Sequence, residues 1–256
     1  MLNDLHTLTS DIETGNLSEA EVYRRERRRL IPKDGRVVPG ELQCPVCRNS
    51  AEEFLPFGLG RRSNAQCPSC GSLERHRFLW LYLQCCTDFF KRRARLLHTA
   101  PEPALAGPFH TQHHHGYIGI DAFDPHAHVQ ANLKYLPFKE GCFDIIISSH
   151  VLEHIDDDRP AIRELARVLH PSGWAVIMVP FDPARPTYED ISLTTPAERK
   201  AVFGHPFHFR SYGSDLIGRL AKAGLIAKVV ESKKFLTANQ RKRWRINRNY
   251  LLFCRK

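Results

Sequence analysis

The chain has 256 residues, 42% of them hydrophobic, which suffices for one substantial core and a small appended module. Its apolar stretches are far shorter than the roughly 20 residues of a bilayer-spanning helix, so we expect no membrane span. Residues 1–21 are polar and acidic, unlike a secretory signal, which favours a cytoplasmic protein.

The net charge of +9 is concentrated in residues 24–29 and 233–248, and such clusters attract phosphates, anionic lipids or acidic glycans. A solvated helix face and a basic loop are the simpler interpretations of the two clusters.

A polar arm is predicted at the start of the chain, over residues 1–39. It contains one charged helix at residues 18–30, which Ser18 can cap with Glu21 three residues later. A second, longer helix is predicted over residues 73–90, because this stretch contains neither glycine nor proline and Ser72 can cap it.

Between these helices, the turn-rich segment 40–75 contains two tight pairs of cysteines. Cys44 and Cys47 form one C-x-x-C knuckle, and Cys67 and Cys70 form another after 19 intervening residues. This spacing is typical of tetrahedral four-thiolate zinc sites, in which protein ligands close the coordination shell. The sequence therefore predicts a small zinc ribbon with structural Zn²⁺, in a reducing compartment where the other cysteines stay free.

From residue 94 onward, short apolar runs alternate with helical segments, which indicates a mostly parallel sheet covered by helices. Strands are predicted at residues 95–99, 117–120, 129–132, 143–149, 174–179, 226–231 and 250–254. Helices are predicted at residues 160–170 and 214–223, the second ended by Gly224 as a left-handed cap. The basic segment before the last strand is predicted to form an edge hairpin or a lid, with a local role.

An acidic residue, Asp121, directly follows the predicted strand 117–120. In doubly wound sheets, ligands bind outside the carboxyl ends of the strands, where such a residue can hold ribose hydroxyls. A simple turn cap is the alternative interpretation.

Four motifs follow one another in the order found in class I methyltransferases of the type-11 group: LPF at 136–138, FD at 143–144, HVLEH at 150–154 and RVLHPSG at 167–173. The chain resembles this group over about residues 94–230. The segment CPSCGSLERHRFLWLYL also resembles a bacterial branch that carries an N-terminal four-cysteine zinc ribbon. The resemblance implies an α/β fold over residues 76–256, a Rossmann-like sheet of about seven strands with helices on both faces. It also implies S-adenosyl-L-methionine as the cofactor.

The resemblance extends to individual positions of the cofactor site. Asp121 would hold the ribose, Ala122 would lie beside the adenine, and Asn132 would accept from the adenine amino group. The backbone of Leu133 would face the adenine ring, and Ser149 would line the methionine end together with His150.

The chain departs from the family at residues 98–103, which lack the glycine-rich loop that normally follows the first strand. Two expectations remain open: the loop takes another path, with Glu102 pairing with the cofactor's ammonium group, or cofactor binding has been lost.

Histidines surround the expected site and suit general base catalysis near neutral pH. His150 and His154 are the predicted catalytic residues, although their role could instead be structural, with His150 hydrogen-bonding the backbone. A wall for the methyl acceptor is predicted from a later segment, comprising His205, His208, Arg210 and Tyr212. The triplet 113–115 is expected to be solvated.

The predicted function is methylation of a hydroxyl or amine on a small molecule or glycan, with an acceptor that the residues do not identify. One alternative is an RNA methyltransferase with a zinc-binding module, although the residues do not favour nucleic acid as a partner. The other is a non-catalytic zinc-ribbon adaptor in which the methyltransferase fold is vestigial.

Overall fold

The computed structural model describes residues 42–256, so the predicted arm and its helix at residues 18–30 lie outside the described residues. Two small antiparallel hairpins come first. Strand β1 (Leu42–Gln43) pairs with β2 (Ser50–Ala51), and β3 (Leu55–Phe57) pairs with β4 (Arg62–Gln66). Both cysteine knuckles lie in turns next to these strands.

The main sheet has seven strands and confirms the predicted α/β architecture. Its strands are β5 (Leu96–Thr99), β6 (Tyr117–Asp121), β7 (Val129–Gln130), β8 (Phe143–Ser149), β9 (Leu169–Met178), β13 (Ile226–Glu231) and β14 (Tyr250–Arg255). Their spatial order is β13-β14-β9-β8-β5-β6-β7. Neighbouring strands are parallel except around β14, which runs antiparallel to both β9 and β13. The chain order reverses at β5 and β8, which is where such sheets bind ligands.

Helices cover both faces of this sheet and create two apolar cores. In chain order they are α1 (Glu74–Cys86), α2 (Pro103–His113), α3 (Asp158–Val168), α4 (Pro196–Phe203), α5 (Leu216–Lys222), α6 (Ser232–Phe235) and α7 (Ala238–Trp244). Leucines of α3 and α5 fill one core, and aromatic residues of α1 and α2 fill the other. Within residues 42–256, no helix is long and apolar enough to cross a membrane.

Several predicted boundaries move by a few residues. Helix α1 begins after Leu73 rather than Ser72 and ends at Cys86, because Thr87 is extended and its hydroxyl donates to the Leu83 carbonyl at 2.7 Å. Helix α3 begins before the predicted residue 160, because the Asp157 side chain caps it by accepting from the Arg159 amide at 3.2 Å. Strand β9 follows directly after α3. The expected turn at 171–173 lies within β9, where the pairing with β8 shifts in register.

A small three-stranded sheet was not predicted. It consists of β10 (Phe181–Asp182), β11 (Tyr188–Glu189) and β12 (Arg210–Gly213), with β12 in the middle. Strands of two residues are too short to show an alternating pattern, so the sequence offers no signal for them.

The basic segment between β13 and β14 is helical and is not a lid over the cleft. Helices α6 and α7 occupy it, and buried Leu236 and Ile246 join the same core as α1. Arg77 of α1, which is fully buried, donates to the carbonyls of Trp244 and Arg245, both at 2.7 Å. The apolar residues within the segment thus decide its placement, and β13 with β14 forms the expected antiparallel edge.

Candidate functional site

A cleft of about 220 Å³ opens at the carboxyl ends of β5, β6 and β8. It brings together six of the predicted cofactor and catalytic residues: Asp121, Ala122, Asn132, Leu133, His150 and His154. Ile120 and Leu133 contribute buried apolar surface to it, and Lys134 and Asp156 lie at its polar side. The cleft is therefore a largely apolar slot with a few polar groups at its rim, as small-molecule sites are.

Asp121 ends β6 and is only 4% exposed. Its Oδ1 accepts hydrogen bonds from the backbone amides of Phe123 at 2.8 Å and Asp124 at 3.0 Å. These two bonds cap the turn after β6 and fix the orientation of the carboxylate at the cleft wall. Turn capping and ligand binding are thus compatible functions of the same side chain.

Asn132 and Leu133 also line the cleft. The Asn132 side chain is exposed and its Oδ1 accepts from the Lys134 amide at 2.9 Å, while Leu133 is buried. An exposed amide beside a buried leucine presents a polar group next to an apolar surface, which suits the edge and face of a heteroaromatic ring.

Two residues other than glycine adopt a positive φ where the chain turns at the cleft. Ala100 after β5 has a φ of 44°, and His150 after β8 has a φ of 55°. Their amides donate to Ile120 and Met178 carbonyls, each at 2.8 Å, which tie both turns to neighbouring strands. The left-handed conformation costs a residue with a side chain roughly 1–2 kcal/mol, a strain that often marks functional sites. The chain therefore makes its tight turn after β5 with alanine in place of a glycine-rich loop.

Glu102 does not line the cleft, contrary to the expectation that it meets the cofactor. It is buried beneath α1, with Oε2 3.1 Å from His98 Nε2 and Oε1 3.4 Å from His76 Nε2. Burial alone would raise the pKa of Glu102, but contacts with His76 and His98 outweigh it and hold that pKa well below its ordinary value. The carboxylate is thus committed to internal partners.

Ser149 also does not line the cleft. Its sequence neighbour His150 lines the cleft, and its other neighbour Ser148 contacts Thr99, which lines it too. Side chains alternate between the faces of a strand. Ser148 accepts from the Thr99 hydroxyl at 3.0 Å on the cleft side, so Ser149 lies on the other face and is 3% exposed.

His150 pairs with a buried carboxylate. Its Nδ1 lies 2.9 Å from Oε1 of Glu153, which is completely buried. Burial would raise the pKa of Glu153, but the surrounding histidines, first His150, lower it to about 2. The ionised Glu153 orients His150 at the cleft and favours its proton-accepting role.

His154, His205 and His208 form a cluster beside His150. One ring nitrogen of each lies within 4.8 Å of those of the others. The His154 ring stands edge-on to both other rings, with centroid distances of 5.1 Å to His205 and 4.6 Å to His208. His154 and His205 line the cleft.

Arg210 and Tyr212 lie behind the cleft and do not form the predicted acceptor wall. Both are buried, and Arg210 donates to the carbonyls of Leu152, Ile155 and Asp156. The Tyr212 hydroxyl donates to Asp158 at 2.7 Å. They hold the turn that carries His154, a supporting role that no local sequence pattern indicated.

The four ribbon cysteines have their sulfur atoms within 4.8 Å of one another. Cys44 and Cys70 are 3.6 Å apart, and Cys47 and Cys67 are 3.8 Å apart. A tetrahedral ion with Zn–S bonds of about 2.3 Å separates its sulfurs by about 3.8 Å, so the four side chains fit zinc. Hydrogen bonds with the other three cysteines, first Cys47, lower the pKa of Cys44 and favour its thiolate.

The triplet His113–His115 is not part of a metal-ligand cluster in the described part of the chain. His113 is buried and its Nδ1 accepts from the Ala94 amide at 3.1 Å, so it serves the core. His114 and His115 are exposed, as expected.

Comparison with known proteins gives a match to the family described as "Methyltransferase domain" over residues 113–177. A "Probable S-adenosylmethionine-dependent methyltransferase" of Mycobacterium tuberculosis is 33% identical over 103 residues, which are 38% of this chain and 32% of that protein. The ubiquinone/menaquinone biosynthesis C-methyltransferase UbiE of Vibrio vulnificus is 38% identical over 70 residues, 26% of this chain and 27% of that protein.

Among solved structures, 1,6-didemethyltoxoflavin-N1-methyltransferase of Burkholderia thailandensis aligns with a TM-score of 0.49 at 17% identity, covering 72% of this chain and 77% of that one. The chain spans about a third of the length of the Mycobacterium relative. The family match begins at the end of α2 and ends within β9, so it includes β6 and β8. The segment that contributes Asp121, Asn132 and His150 to the cleft is thus the one that is similar to a methyltransferase domain.

Proposed function

We propose that this chain is an S-adenosylmethionine-dependent methyltransferase whose cofactor binds in the cleft at the ends of β5, β6 and β8. The observation that carries the proposal is the oriented Asp121 carboxylate at the end of β6, within the segment that matches a methyltransferase domain. A carboxylate at this position of a doubly wound sheet accepts hydrogen bonds from ribose hydroxyls.

The residues of the cleft fit the separate parts of this cofactor. Asp121 would bind the ribose, Ala122 and Leu133 would flank the adenine, and the Asn132 amide would accept from its amino group. When bound, S-adenosylmethionine supplies an electrophilic methyl group on a sulfonium. Because histidines hold Glu102, the ammonium group of S-adenosylmethionine requires another partner. We assign this role to the backbone turn at Ala100, which lines the cleft directly after β5.

His150 is our proposed general base. Its pairing with buried Glu153 stabilises the imidazolium that forms when His150 takes a proton from a hydroxyl or ammonium acceptor. This arrangement supports an acceptor that must lose a proton, such as a hydroxyl or a protonated amine on a small molecule or glycan.

Calorimetric titration with S-adenosylmethionine and S-adenosylhomocysteine tests the proposed function directly. We expect S-adenosylmethionine and S-adenosylhomocysteine each to bind at one site and to compete with each other for it. If neither binds to protein whose fold is intact by circular dichroism, the enzyme proposal fails and a zinc-ribbon adaptor takes its place.

We further propose that Cys44, Cys47, Cys67 and Cys70 bind one structural zinc ion, a role supported by their sulfur separations. Purified protein should hold about one zinc equivalent through dialysis against a mild chelator. Cys67→Ser should release this zinc and make residues 42–75 sensitive to protease, because metal binding and folding are coupled in such sites. Cys85→Ser, at an exposed cysteine outside the ribbon, is the control and should keep the zinc. Absence of zinc from protein with four intact ribbon thiols would contradict the proposal.

A further inference from the structure

The histidine cluster beside the cleft has the composition of a metal site. His154 comes from the short helical turn after β8, and His205 and His208 come from the loop after α4. All three are half-buried, and one ring nitrogen of each lies within 4.8 Å of the others. A backbone hydrogen bond of 2.8 Å from the Phe209 amide to the Glu153 carbonyl joins the two segments, so the cluster is held by the fold.

Glu153 is the second, independent observation. Its side chain is completely buried next to the cluster, and within the described residues its Oε2 has no hydrogen-bond partner. The Glu153 Oε1 atom lies 2.9 Å from His150 Nδ1. A buried carboxyl group is costly unless hydrogen bonds or a positive charge compensate it, and the His150 contact involves only Oε1. A cation held by the neighbouring imidazoles would supply that charge.

The donor set indicates the kind of cation. Imidazole nitrogens suit zinc, iron, nickel, cobalt and copper, whereas magnesium and calcium prefer oxygen ligands. Three protein ligands leave a coordination position open, as in catalytic zinc sites. Since His154 and His205 line the cleft, the open position would face it.

We propose that His154, His205 and His208 bind one divalent transition-metal ion at the side of the cleft that His154 and His205 line, with Glu153 as its buried counter-charge. His154 is then a ligand, and His150 remains the general base. The Phe207 amide donates to His205 Nδ1 at 3.2 Å. When the ion binds, His205 therefore either gives up this hydrogen bond and coordinates through Nδ1, or keeps it and coordinates through Nε2 as the other tautomer. Carboxylates next to metal-bound histidines orient the rings and strengthen the ligands.

The ion also indicates the class of acceptor, an inference that rests on the proposed function. An acceptor hydroxyl on the open position would be acidified by the metal. Its proton would pass to His150, and its oxygen would form the new C–O bond while the C–S bond breaks and leaves its electron pair on sulfur. The metal site therefore favours an oxygen acceptor over an amine.

Cobalt titration tests the metal site without the cofactor. The ribbon is first filled with zinc, weakly held metal is removed with a mild chelator, and Co²⁺ binding is followed by calorimetry and visible absorption. We expect one equivalent of Co²⁺ to bind without the thiolate-to-cobalt charge-transfer band that a cysteine site would show. Appearance of that band instead, or no binding beyond the ribbon equivalent, would overturn the proposal.

Matched variants assign the binding to these residues. His205→Ala and His208→Ala should each weaken Co²⁺ binding at least about 10-fold, and Glu153→Gln, which removes the buried negative charge beside the ligands, should weaken it by about 10-fold. His115→Ala removes an exposed histidine elsewhere and should bind Co²⁺ as wild type does. Ribbon zinc content serves as the folding check in every variant. Unchanged Co²⁺ affinity in folded His205→Ala and His208→Ala would also refute the site.

The two proposals fail separately. Loss of the cobalt site with intact S-adenosylmethionine binding removes only the metal inference. Cobalt binding by a protein that does not bind S-adenosylmethionine keeps the metal site and refutes the methyltransferase proposal.

Discussion

At the scale of a single residue, Asp121 combines two functions that substitution can separate. Its Oδ1 caps the turn through the amides of Phe123 and Asp124, and its negative charge is the feature we assign to ribose binding. Alanine removes both functions. Asparagine keeps a side-chain oxygen for the turn and removes only the charge.

We predict that Asp121→Ala weakens S-adenosylmethionine binding by about 2–3 kcal/mol, roughly 30- to 150-fold, because it leaves ribose hydroxyls unpaired in a partly desolvated cleft. Asp121→Asn should lose about 10-fold and unfold at the same denaturant concentration as wild type. Asn132→Ala, which removes a neutral partner, should cost about 1 kcal/mol. Calorimetry gives the affinities, and urea unfolding gives the stabilities. Equal affinity of wild type and Asp121→Ala would show that β6 does not hold the adenosine.

At the scale of elements, Arg77 joins three parts of the molecule. Its fully buried guanidinium donates to the carbonyls of Ala65 and Ser72 next to the second cysteine knuckle, and to those of Trp244 and Arg245 at the end of α7. A planar guanidinium with five donors is the side chain that can serve so many acceptors at once. The ribbon, α1 and the basic C-terminal helix are therefore linked through one residue.

We predict that Arg77→Met destabilises the protein by about 3 kcal/mol or more, since several buried carbonyls lose their donors together. Amides of α7 should exchange hydrogen faster, because α7 loses its link to α1. The control is Arg92→Met at an exposed pair with Asp88, and its effect should stay within about 0.5 kcal/mol. Urea unfolding and hydrogen exchange measure both effects. Unchanged exchange in α7 would mean that its buried apolar residues alone hold it.

At the scale of the whole molecule, buried neutral histidines set the response to acid. Burial lowers the pKa of both His76 and His113 to about 4, whereas in the unfolded chain a histidine has a pKa of about 6.5. Between pH 6.5 and 4 the unfolded chain binds more protons than the folded one, so the free energy of unfolding falls as the pH falls.

We predict that Tm decreases steadily from about pH 6.5 to pH 4, and that His113→Gln decreases less over the same interval. Glutamine keeps an oxygen that can accept from the Ala94 amide but binds no proton. Calorimetric scans of both proteins at equal zinc content isolate the contribution of His113. Parallel Tm curves for the two proteins would contradict a neutral, buried His113.

Much of the sheet was predictable because its strands are apolar runs bounded by turns, and the predicted seven-stranded α/β architecture is confirmed. The position of Asp121 followed from the same pattern. Glu102 does not line the cleft because His98 and His76 both contact its carboxylate. His98 is only four residues away, but His76 lies on α1, and no motif indicates that contact. The two-residue strands lack a period, and the spacing of His154, His205 and His208 matches no local ligand motif.

The position of β14 has a consequence for synthesis on the ribosome. Among these seven strands it is the last along the chain, yet it fills the gap between β9 and β13. A nascent chain that has emerged only as far as α7 therefore exposes an open edge on β9 and leaves β13 without a neighbour. Such edges pair readily with other chains. Residues 250–255 must thus emerge before the sheet can close, and a pause before that point would favour aggregation or capture by a chaperone.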